Sequence, residues 1–106
     1  MKRAAQALVV AALAACATTD PPERELAAAR AMVAQARPVA ESDAPIELAT
    51  AQGKLARAET AMQRGHHEHA RLLAEQAEVD AKVAWTVAED VRMQRALRDA
   101  LERKGQ

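Results

Sequence analysis

Residues 67–104 read HEHARLLAEQAEVDAKVAWTVAEDVRMQRALRDALERK, and neither proline nor glycine interrupts the chain before Gly105. Nearly forty residues rich in Ala, Glu, Arg, Leu and Gln, all strong helix formers, predict one continuous helix. At 1.5 Å per residue it would be about 57 Å long. Its apolar positions include Ala70, Leu73, Ala77, Ala81, Ala84, Ala88 and Val91, and a further set, Trp85, Val87, Met93, Leu97 and Leu101, belongs to its second half. A helix of this length makes the fold all-α and leaves the rest of the chain to cover it.

The stretch just before it, Arg64-Gly65-His66, is too short for anything but an antiparallel helix pair, with Gly65 in the C-cap role. The preceding helix is expected at about 45–64, with Asp43-Ala44 as its cap and Pro45 in its first turn. It repeats Leu48, Leu55 and Met62 in sevens with Ala51 and Ala58 between them, a seam for one partner helix. Gly53 interrupts that seam at a cost of up to ~1 kcal/mol relative to alanine, which suits a close approach of backbones. Pro21-Pro22-Glu23 opens a first helix at about 23–37, carrying Leu26, Ala29, Val33 and Ala36; Pro38 is expected to end it and 38–44 to form a loop.

The helical domain thus spans 23–104, and helix two is long enough to cover only half of helix three. Helix one either lies collinear with helix two, giving a long hairpin with a broken first arm, or folds back as the third member of a bundle and leaves an overhang for a second subunit. The long hairpin is the favoured expectation. The 106 residues leave room for one domain, and half of them are hydrophobic, but the only aromatic is Trp85 and much of the apolar total is alanine. Such a core must be thin, with helix backbones packed close. Trp85 is expected inside it rather than at an interface, because a thin core gains most from a large ring.

The amino terminus is of a different kind. Lys2 and Arg3 precede an apolar run from Ala4 to Leu13, far short of the ~20 residues a membrane-spanning helix needs and suited to a signal peptide over 1–15. Leu13-Ala14-Ala15-Cys16 then resembles the lipobox of bacterial lipoproteins, and Cys16 is the only cysteine. That resemblance implies cleavage before Cys16, a covalent lipid on it in place of any other cofactor, and residues 16–22 as a tether. Ala17, where an aspartate would favour inner-membrane retention, implies attachment at the periplasmic face of the outer membrane. Multiple acyl chains, at ~0.8 kcal/mol per buried methylene, make the attachment lasting.

Within the body, Ala40-Glu41-Ser42-Asp43-Ala44-Pro45-Ile46-Glu47-Leu48, then Ala51, Lys54-Leu55, Ala58, Ala61, Gly65, Ala70, Leu73-Ala74, Ala77 and Asp80-Ala81 resemble the domain of unknown function DUF4398, found in Gram-negative lipoproteins. The likeness is a spacing of small residues rather than a chemical motif, and Asp43 and His67 stand where that family often has tyrosine. Helices two and three are also similar to one tetratricopeptide hairpin, but a peptide-binding solenoid needs several stacked copies.

Chemistry is sparse. His66, His67 and His69 are weak candidates for a metal site, since imidazoles can bind zinc, nickel or copper, but no His-Glu-x-x-His or paired Cys-x-x-Cys accompanies them. The carboxylates from Glu75 to Asp90 lie among Arg and Lys as on wet helix faces, with Glu78 and Lys82 in the favourable i,i+4 order. Without residues 1–15 the chain has 13 basic and 15 acidic side chains, a net charge of −2 that gives no footprint for nucleic acid. The sequence therefore predicts no enzyme. It points to a lipid-anchored helical module that docks an envelope protein or itself along helix three, with Trp85, Val91 and Leu97 as candidate interface residues. The alternative is a periplasmic metal-binding lipoprotein using His66–His69.

Overall fold

The computed structural model describes residues 20–106; the expected signal peptide, the Leu13–Cys16 motif and the first part of the tether lie outside them. Three helices follow one another: α1 (Glu23–Asp43), α2 (Pro45–Gln63) and α3 (His67–Lys104). The last two match the expected bounds to within one residue.

Helix α1 departs from expectation by running through Pro38 to Asp43. The ring of Pro38 removes the N–H that would reach the Ala34 carbonyl. Both residues sit on the exposed face, so water can satisfy that carbonyl. On the opposite face Val33, Ala36 and Ala40 are buried on both sides of the proline and hold the helix together across it. The expected loop shrinks to Ala44. This residue, at φ −151° and ψ 55°, leaves the helical region, yet its N–H still donates to the Ala40 carbonyl and its own carbonyl accepts from Leu48.

At Ala44 the chain reverses. Arg30 on α1 pairs with Glu59 on α2 at 2.9 Å, each about fifteen residues from the break, so the two helices run antiparallel. Arg71 near the start of α3 pairs with Glu25 near the start of α1, and Arg92 and Arg95 reach Asp43 at its end. Helix α1 therefore lies parallel to α3 and covers it as far as about Arg95. The molecule is a three-helix bundle, and the favoured long hairpin with a collinear first arm is overturned. A one-residue break followed by proline at the first helical position bends the path too sharply for α1 and α2 to share an axis.

The turn between α2 and α3 forms as the glycine implied. Gly65 has φ +77°, its N–H donates to Met62, and the His66 N–H donates to Ala61 at 2.9 Å. These are the two bonds of a Schellman cap, and they satisfy carbonyls that the end of α2 would otherwise leave open.

Small residues fill the interior. Thirteen of the seventeen buried apolar residues among those described are alanine, the others being Leu26, Val33, Leu48 and Leu73. Alternating steps of three and four residues generate this face: 26, 29, 33, 36 and 40 on α1, and 70, 74, 77, 81, 84 and 88 on α3. A period of 3.5 is the signature of left-handed coiled packing. With methyl groups at most of these positions the helix axes can sit at the near end of the usual ~8–10 Å range. Gly53 does not serve that approach: it is exposed, and a Cβ built on it meets nothing within 4 Å. Trp85 also departs from expectation, being 40% exposed and outside the core.

Three stability changes follow, each readable by thermal or urea unfolding. Gly53→Ala raises stability by up to ~1 kcal/mol, since helix propensity improves and nothing is displaced. Pro38→Ala raises it by about 1–2 kcal/mol, the recovered hydrogen bond being partly offset by a freer unfolded chain. Ala84→Leu lowers it by about 1–3 kcal/mol, because the close-packed face has no room for three more carbons.

Candidate interaction surface

One side of α3 is committed to the bundle, and the other carries most of the exposed large apolar residues. Leu72, Val79, Val83, Met93, Leu97 and Leu101 are all exposed, the last three to 72%, 61% and 61%. At 100° per residue, Leu72, Val79, Val83, Leu97 and Leu101 fall within about 20° of one line, with Met93 about 60° to one side. That line faces away from the alanines that pack on α1 and α2. A soluble helix normally presents a single apolar stripe to its own core; a second one is a surface awaiting a partner.

The first half of this stripe borders two shallow grooves against α2. One is lined by Lys54, Leu72, Glu75, Gln76, Val79 and Asp80, and the other by Ile46, Glu47, Thr50, Asp80 and Val83. Lys54 and Asp80 pair at 2.6 Å where the grooves meet. Glu47, Glu75 and Asp80 thus form an acidic rim. The second half of the stripe, beyond the reach of α2, is basic: residues 91–106 hold five basic and two acidic side chains, a net +3, against a net −5 over residues 17–90. Charge that looks interspersed along the chain is segregated in space.

Asp43 fixes where the bundle gives way to the overhang. It was expected to cap α2, but that helix has no side-chain cap, and the Asp43 carboxylate accepts from Arg95 at 3.0 Å and lies 3.8 Å from Arg92. The carboxylate is almost entirely covered while both guanidinium groups stay half in solvent. Of the residues expected at an interface, Leu97 lies on the outer stripe, Trp85 is exposed but about 140° round the helix from it, and Val91 is half-buried towards the bundle. Leu72, Val79 and Val83 were missed as surface residues; their spacing of seven and four was the available signal.

The histidines do not assemble into a metal site. His66 and His69 line a hollow with Arg57, Thr60, Ala61 and Arg64, where two guanidinium groups repel a cation. His67 is half-buried, and among the described residues no group of three His, Cys, Asp or Glu side chains could hold a metal. The Glu78–Lys82 pair forms at 3.0 Å. Among the described residues no helix is long and apolar enough to cross a membrane.

The family model of the domain of unknown function DUF4398 matches residues 24–100. The chain belongs to the DUF4398 family. The matched region takes in the whole of α2 and nearly all of α1 and α3, running into the overhang as far as Ala100, and so extends well past the stretch of small residues that first carried the likeness. No curated protein and no solved structure matches the chain.

Because Asp43 ties α1 to the start of the overhang, Asp43→Ala should cost about 1 kcal/mol, the modest figure appropriate to half-solvated arginine partners. Hydrogen exchange checks the location: protection should fall in residues 88–98 and stay unchanged around the Gly65 turn.

Proposed function

We propose that this DUF4398 chain is a lipid-anchored, non-catalytic interaction module of the cell envelope, held at the periplasmic face of the outer membrane through Cys16. Two features support the reading. Leu13-Ala14-Ala15-Cys16 supplies the lipid attachment sequence, and α3 carries an exposed apolar stripe that its own bundle does not use. The stripe is the observation on which the interaction half rests: the described grooves are open and shallow, and the hydroxyls that line them, Thr50 and Thr60, donate to the carbonyls of Ile46 and Ala56.

The fold gives this arrangement a direction. Asp20, four residues beyond Cys16, accepts through its backbone carbonyl from Arg71 near the start of α3. The tether therefore leaves the bundle beside the Gly65 turn. The 38 residues of α3 then carry Met93, Leu97 and Leu101 about 40–50 Å from the anchored end. A stripe so placed faces partners in the periplasm rather than the lipid itself.

Replacing Cys16→Ser in the full chain tests the anchor. Radiolabelled palmitate should enter the native protein and be absent from the variant, which should leave the outer-membrane fraction for the soluble periplasm. Equal labelling of the two, or soluble native protein, would overturn the lipoprotein reading.

A further inference from the structure

The outer face of α3 is built to accept another copy of itself. We infer that two chains pair antiparallel along this stripe, each laying its basic overhang against the acidic-rimmed first half of the other's α3; this rests on the reading of α3 as a docking surface.

Register follows from the spacing. If residue n of one helix faces residue 176 − n of the other, Val79 meets Leu97 and Val83 meets Met93, each pair occurring twice about the two-fold axis. Leu72 and Leu101 extend the apolar strip at both ends. Thr86 and Asp90 fall at the midpoint and face each other. A polar step at the middle of the seam, with Leu72 facing Lys104 and Leu101 facing Glu75 at its ends, penalises slipped alignments. Shifting by a whole heptad would set Leu97 against Thr86 or Leu72 and strand Val79 or Met93.

Charge agrees with that register. Asp80 and Arg98 are eighteen residues apart, five whole turns, and so occupy one flank of the stripe. In the antiparallel pair Arg98 approaches Asp80 and the adjacent Glu47 of the second copy. On the other flank Lys104 approaches Glu75. A parallel pair would instead place acidic rim on acidic rim and overhang on overhang, which like charges disfavour. The net +3 of residues 91–106 and net −5 of residues 17–90 favour the same antiparallel choice.

Size is sufficient as well. Residues 72–104 make a contact about 50 Å long and about 10 Å wide, on the order of 1,000 Å² in total over both copies. That reaches the lower bound for a specific interface. The one charge at the middle of the seam, Asp90, keeps the Gln94 side-chain amide as its donor at 3.1 Å.

The test places the photoreactive amino acid benzoylphenylalanine at position 97 of the full chain in intact cells. The expected product has twice the mass of the chain, with the crosslink mapped to the peptide around Val79 and Val83. Glu75→Lys and Lys104→Glu should each reduce its yield several-fold, and the two together should restore it, which a folding defect would not do. A product joining position 97 to a different protein, with no doubled chain, would overturn the pairing and leave the docking reading intact. Absence of any product from position 97 would overturn both. A doubled chain whose yield ignores the charge exchange, or whose crosslink maps elsewhere, would overturn this register and with it the inference.

Discussion

Everything in this molecule depends on alanine methyl groups meeting across helices at short distance. A buried methyl contributes less than ~1 kcal/mol by area, so the bundle draws stability from many small contacts and from helix propensity rather than from a few large side chains. Thin interfaces are also unforgiving. They permit close axes only while every facing position stays small, and this explains why the one large ring, Trp85, sits outside. With a heptad step on all three helices, the same small residues set both the spacing of the helices and their coil.

Ion pairs then choose which helix goes where. Arg30–Glu59, Lys54–Asp80, Glu25–Arg71 and the Asp43 clamp each join two different helices, so that every helix pair has at least one. Each is worth little in solvent. Their value lies in orientation: alanine faces are nearly alike, and charges placed at their edges tell one alignment from another. Asp43 is the clearest case, since a residue positioned to cap α2 is turned to α1–α3 docking instead.

The pattern of residues made the helices, the Gly65 turn and the small-residue core legible before any coordinates. Two judgements failed for physical reasons. Pro38 reads as a helix end because its ring costs a hydrogen bond, but the loss falls on a wet face while packing continues on the dry one. Ala44 carries no turn signature at all; the reversal there is helped by Pro45, which disfavours helical geometry at the residue before it, and alanine fits because it is buried at the corner. The candidate surface was only half legible. Leu97 was found as part of an overhang, whereas Leu72, Val79 and Val83 could be told from core residues only once Ala70, Ala74, Ala77 and Ala81 had claimed the other side of the helix.

The two chain reversals, one residue at Ala44 and three at 64–66, bear on how the chain reaches this state. Helix α2 is shared by two tight hairpins, and each joins neighbours in the sequence. Only α1 and α3 must find each other across some fifty residues, as Asp43 and Arg95 do. Contact order is therefore low, the condition under which helical domains fold in microseconds to milliseconds. Whichever hairpin closes first presents two alanine faces to the remaining helix, so the inner face of α3 is covered early, while its outer stripe, which the bundle does not touch, stays in solvent on the folded chain.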